Sequence, residues 1–151
     1  MQFDVMFLDI DGVLNPSNTN HRHVFAPECV AQLKRLLAAH PQLKIVFSTS
    51  WRRGTPFFVL GWLWRQHELP LQVVAGRTTD IDPARRGEEV SKWLANSKLM
   101  FPGSKVRRYA ALDDEVEPLL AELPPGSVFQ CDPDEGLSKS VTDRLIRHFS
   151  E

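Results

Sequence analysis

Asp9 and Asp11 stand two residues apart in "VMFLDIDGVLNP" (residues 5–16), directly after an apolar run from Val5 to Leu8. Burying a carboxylate is costly unless it is paired or bound to a metal, so two acids at the mouth of a buried strand point to a site. A carboxylate there can attack phosphorus and form an aspartyl-phosphate, which makes Asp9 a candidate nucleophile. Asp11, two residues on, points to the same side and can exchange a proton with a leaving group and then with water. Gly12 frees the backbone to turn sharply behind them.

Three later stretches carry matching chemistry. "IVFSTSWRR" brings Ser48, whose hydroxyl can donate to a phosphoryl oxygen; Thr49 or Ser50 takes that part if the strand runs on, and Arg52 follows within reach of a phosphate. "ALDDE" brings Asp113 and Asp114, and "QCDPDEG" brings Asp132 and Asp134, which read as the organisers of a turn before Gly136. Carboxylates collected on one rim repel each other. A hard divalent cation relieves this, and magnesium favours one or two carboxylates plus waters plus a substrate phosphate. Asp9, Asp11, Asp113 and Asp114 are therefore candidate Mg2+ ligands. No Cys/His cluster competes for a softer metal.

Such residues must be carried to one place by the fold, and the hydrophobic pattern supplies one. Strands are expected over residues 3–9, 43–48, 71–75, 106–112 and 127–131. Helices are expected over 27–40, from Pro56 with Thr55 as its cap, over about 86–96, over 116–123 and over 138–149. Residues 15–25 form a polar excursion. The stretch "FFVLGWLW" (57–64) is apolar nearly all round, which predicts core packing. Alternating strands and helices imply an α/β, Rossmann-like three-layer domain: a parallel five-stranded sheet with helices on both faces. Ligands of such sheets bind beyond the carboxyl ends of the strands, where the acids and hydroxyls fall.

The 151 residues, 42% hydrophobic, suit a single domain over 1–151. A net charge of −1 supplies no global basic field for nucleic acid or membrane. Cys29 and Cys131 read as buried thiols in a reducing compartment. The start of the chain lacks the basic region of a secretory signal, and the longest apolar stretch falls far short of the ~20 residues of a membrane span. A cytoplasmic protein is expected.

"DIDGVLN", "IVFSTSWR", "RRGEEVSKWL" and "YAALDDE" together resemble the four motifs of the haloacid-dehalogenase-like (HAD) superfamily. The resemblance is closest to its small capless hydrolases, including the HAD domains found with RNA-repair proteins, where a late Gly-Leu like Gly136-Leu137 also occurs. It implies a magnesium-dependent phosphatase with Asp9 as nucleophile, Asp11 as general acid/base, Ser48 as the second-motif hydroxyl and Asp113/Asp114 as the metal pair. The third motif departs, because the superfamily usually has lysine there. The candidates are Arg86, Arg85 and Lys92; Arg86 is preferred, since it opens a helix and its guanidinium can grip phosphate in two places. The gaps after the first and second motifs leave no room for a large cap, so an open site is expected, suited to a phosphate on a nucleic-acid end or a phosphoprotein. Arg52, Arg53, Arg77, Arg85 and Arg86 can form a local basic rim. Two other readings use the same fold: a receiver-like signalling domain that accepts phosphate, and a non-catalytic binding module. The receiver reading wants an acid ending strand three, where Ala75-Gly76 stands.

Overall fold

The computed structural model describes residues 1–17, 25–48, 57–78 and 85–151. Its strands are β1 (Gln2–Leu8), β2 (Leu43–Phe47), β3 (Val74–Arg77), β4 (Lys105–Asp113) and β5 (Val128–Gln130); its helices are α1 (Pro27–Ala39), α2 (Phe57–Gln66), α3 (Arg86–Met100), α4 (Glu117–Leu120) and α5 (Lys139–Ser150). All strands pair in parallel, in the order β3-β2-β1-β4-β5.

β1 is the central strand, and its run Val5–Leu8 is buried throughout. A parallel strand covered on both faces has no solvent side to mark with polar residues. One face carries Met6, Leu8, Ile45 and Phe47 against Leu33 of α1, Leu60 and Trp64 of α2, and Leu145 and Phe149 of α5. The other carries Val5, Phe7, Val46 and Ala111 against Val90 and Trp93 of α3 and against Leu119 of α4. Pro27 opens α1, where its missing N–H costs nothing. The Ser138 hydroxyl accepts from the Val141 N–H and caps α5. Among the described residues no cap domain stands over the carboxyl ends of the strands, and no helix is long and apolar enough to cross a membrane.

Several expected elements shift. The third strand was expected from residue 71, but Leu71–Val73 form a 3-10 turn behind Pro70, and β3 starts at Val74. α3 continues a turn past residue 96 to Met100, and α4 spans only four residues. α2 does not bury its apolar surface on all sides: Leu60 and Trp64 are buried, whereas Phe58 and Trp62 are 75% and 59% exposed. With no polar residue among positions 57–64, the sequence pattern carried no mark of the face turned outward. Thr55 and Pro56 lie outside the described residues.

The chain passes outward from β1 to β2 and β3, then returns to β4 on the opposite side of β1. That reversal opens a crevice at the carboxyl ends of β1 and β4, where doubly wound sheets take their ligands.

Candidate active site

Side chains alternate along a strand. Val5 and Phe7 face α3, so Asp9 continues that side; Ala111 of β4 does the same for Asp113. The Asp9 N–H donates to the Leu112 carbonyl (3.1 Å), which keeps the end of β1 level with the end of β4. The result is an acid cluster at the switch point. One carboxylate oxygen from each of Asp9, Asp113 and Asp114 lies within 4.8 Å of the others, with Asp9 and Asp113 buried and Asp114 half-buried. Asp11 is exposed, and its carboxylate is not part of this group.

The loop behind Asp9 is tied down from inside. The Ile10 carbonyl accepts from the N–H groups of Val13, Leu14 and Asn15 at 2.9–3.1 Å. This tight turn passes through Gly12 at φ +79°, a left-handed conformation that L side chains rarely adopt. Gly12 also lies directly against Asp114: a Cβ there would stand 2.5 Å from Asp114 Cγ. The absent side chain is what lets the two strand ends close on each other.

Arg86 faces the acids from the first turn of α3. Its Nη1 lies 2.5 Å from Asp113 Oδ2 and 3.5 Å from Asp9 Oδ2. Asp113 Oδ1 accepts from the Glu115 N–H at 3.1 Å, so both of its oxygens are engaged. Burial disfavours the Arg86 charge, but Asp9 and Asp113 outweigh it and hold the guanidinium above its ordinary value. Burial pushes the Asp114 carboxyl up, and its contact with Asp113 pushes it further, while the contact with Asp9 acts the other way. Arg86 engages two of the three carboxylates, those of Asp9 and Asp113. The donors of the cluster are all carboxylate oxygens, a set that suits a hard cation such as Mg2+.

Of the three third-motif candidates, the structure brings Arg86 to Asp9. Arg85 is exposed and pairs with Glu88, and Lys92 is exposed farther along α3. The register of the helix is set at Gly87, where a Cβ would stand 2.7 Å from the Pro118 carbonyl oxygen and 2.8 Å from Glu122 Cβ. Close approach of α3 to the α4 segment thus fixes the height of Arg86 over the sheet. Glu89, fully buried in the same turn, carried no mark in the sequence beyond its place in "RRGEEV".

Two hydroxyls complete the rim. Ser48 continues β2 on the side of Val46 and is 3% exposed, and its Oγ has no hydrogen-bond partner among the described residues. Thr78, directly after β3, is 2% exposed, and among the described residues its Oγ1 is also without a partner. A register shift between β2 and β3 pairs Val46 with Gly76 and Phe47 with Arg77, which sets Thr78 level with Ser48. The sequence reading passed over Thr78, because the bulge that brings it to the rim is a matter of strand pairing. Thr49 and Arg52, expected to bind phosphate, lie outside the described residues, as do Ser50 and Arg53. Of the expected basic rim, Arg77 lies over the Phe57 ring, 5.5 Å from its centroid, while Arg85 and Arg86 are engaged by acids. Asp132 and Asp134 form a turn before Gly136, with the Asp134 N–H donating to Asp132 Oδ1 at 2.8 Å. Cys29 and Cys131 are free and buried, and burial pushes the Cys131 thiol well above its ordinary range.

A doubly wound parallel sheet with acids at its switch point, an arginine facing them and no cap among the described residues is the architecture of a small HAD-like domain. Over residues 5–141 the chain matches the family described as the HAD domain in Swiss Army Knife RNA repair proteins, and it belongs to that family. No curated protein and no solved structure gave a match. The family implies a phosphatase-like hydrolase, and HAD proteins typically use Mg2+.

Proposed function

We propose that the chain is a magnesium-dependent phosphomonoester hydrolase that works through an aspartyl-phosphate on Asp9. The observation that carries this reading is the gathering of Asp9, Asp113 and Asp114 within 4.8 Å at the carboxyl ends of β1 and β4, opposite Arg86. Asp9 and Asp114 would hold the ion, while Asp113, with both oxygens engaged, orients Arg86. Bound magnesium supplies positive charge to phosphoryl oxygens and offsets the repulsion among the carboxylates.

Asp9 attacks phosphorus, and the bond from phosphorus to the ester oxygen breaks as the aspartyl-phosphate forms. Asp11, which is exposed, delivers a proton to the leaving oxygen. It then takes a proton from the water that attacks the aspartyl-phosphate, which releases phosphate and restores Asp9. The Ser48 hydroxyl donates to a phosphoryl oxygen, with Thr49 and Arg52 as further phosphate contacts. Arg86 balances the negative charge that builds beside Asp9.

The family's description places its members in RNA repair proteins. An uncapped rim admits a phosphate carried on a large molecule, and a nucleic-acid end is the substrate we favour. The test is phosphate release from an aryl phosphate and from 3′- and 5′-phosphorylated oligonucleotides, with and without Mg2+, for the parent and for Asp9→Asn. Metal-dependent release that disappears in Asp9→Asn is expected. Equal turnover by the variant overturns the assignment of the nucleophile.

A further inference from the structure

One feature of the surface has no part in the hydrolytic steps. On the outer side of α2, a groove of about 620 Å³ is lined by Phe57, Phe58, Gly61, Trp62, Arg65 and Leu71, together with Gln66. Large apolar groups left in water mark a contact surface when they are contiguous. Here Phe58 and Trp62, 75% and 59% exposed, stand one turn apart on the helix, and Leu71 lines the same groove.

The groove lies on the α2 face of the sheet, and its near end reaches the carboxyl ends of β2 and β3. The Phe57 ring packs against Phe47 at 6.2 Å, and Phe47 directly precedes Ser48. The opposite neighbour of Phe57 is the Arg77 guanidinium, at the carboxyl end of β3 beside Thr78. Phe57 thus sets the near end of the groove at the edge of the sheet where the phosphorylated end would be held.

Charge selects the occupant. Arg65 lines the groove, Arg77 stands at its end, and no acid lines it among the described residues. A second copy of this chain, docked about a two-fold axis, would set the same patch against itself and bring Arg65 toward its own counterpart. An anionic partner with flat apolar faces fits better. Single-stranded nucleic acid has that chemistry: its bases stack on exposed aromatic rings, and its phosphates meet arginines. We propose that this groove binds the unpaired bases that follow the phosphorylated end of a single-stranded nucleic acid, with Trp62 and Phe58 as stacking platforms and Arg65 as a phosphate contact. The inference rests on the reading of the chain as a hydrolase of nucleic-acid ends, and it names how such a substrate is held.

The experiment is fluorescence anisotropy with a labelled, unphosphorylated oligouridine of ten nucleotides, titrated with the parent, Trp62→Ala and Arg65→Glu at several salt concentrations. Trp62 is exposed, so its removal leaves the core intact. The parent is expected to bind, with affinity that falls as salt rises. Trp62→Ala is expected to weaken binding about tenfold, the scale of one lost base stack. Arg65→Glu is expected to weaken it and to flatten the salt dependence. No binding by the parent at low salt, or equal affinity in Trp62→Ala, overturns the proposal. So does a parent dimer that dissociates in Trp62→Ala while oligouridine stays unbound. Oligouridine binding without phosphate release from any substrate would sink the hydrolase reading and keep the groove; phosphate release without oligouridine binding would do the reverse.

Discussion

Gly12 and Asp114 touch across the switch point of the sheet, so closely that a Cβ on Gly12 would lie 2.5 Å from Asp114 Cγ. They come from loops about a hundred residues apart in the chain, and the contact seats the Asp114 carboxylate beside Asp9. Gly12→Ala meets two obstacles: the positive φ and the Asp114 side chain. The first alone costs about 1–2 kcal/mol. The variant is expected to lose about 1–3 kcal/mol of stability in urea denaturation and to bind Mg2+ at least tenfold more weakly by calorimetry. Parent-like stability together with parent-like Mg2+ affinity would mean that the two loops do not depend on each other.

The buried hydroxyls of Ser48 and Thr78 give a prediction of opposite sign. A buried polar group without a partner costs about 1–3 kcal/mol, and among the described residues neither hydroxyl has one. Thr78→Val keeps the shape of the side chain and removes the hydroxyl, so the free protein is expected to gain about 1 kcal/mol of stability. If the hydroxyls serve a bound substrate, Ser48→Ala lowers phosphate release even where it leaves the urea midpoint unchanged. A destabilised Thr78→Val would show that its hydroxyl has a structural partner in solution.

His67 carries a pH prediction. The Phe25 N–H donates to His67 Nε2 at 3.3 Å, and the two rings stack at 4.8 Å. Nε2 must therefore be unprotonated, with the proton on Nδ1. Burial, and secondly the charge of Lys34, hold the imidazole below its ordinary value of 6.5. The unfolded chain then takes up a proton that the folded chain resists. The stability linked to His67 is complete above pH 6.5 and is lost as pH falls through the folded value. Proton NMR titration should place His67 below an exposed histidine, and His67→Phe should flatten the acid side of the stability profile. A titration at or above the ordinary value would contradict the contact with Phe25.

Much of this site was legible in the sequence because its residues stand where strands end. "FLDIDG" and "AALDDE" each join a buried apolar run to acids, and a parallel sheet aligns such ends on one rim. The part played by Arg86 was less legible. Adjacent helical residues point about 100° apart, so choosing among Arg85, Arg86 and Lys92 needs the seating of α3, which Gly87 and the α4 segment determine. Thr78 was hidden for a related reason: the β2–β3 register shift decides which side of the sheet it takes. The outward face of α2 had no polar residue to mark it, and its exposure is decided by which side meets the sheet.

The proposed reaction passes through a covalent bond between Asp9 and phosphorus. Acid quenching of the enzyme during Mg2+-supported turnover, followed by borohydride reduction, converts an aspartyl-phosphate to homoserine, which peptide mass spectrometry locates. The expected result is homoserine at residue 9 and nowhere else. Steady phosphate release with residue 9 unmodified, or with the modification at Asp11, Asp113 or Asp114, would contradict it.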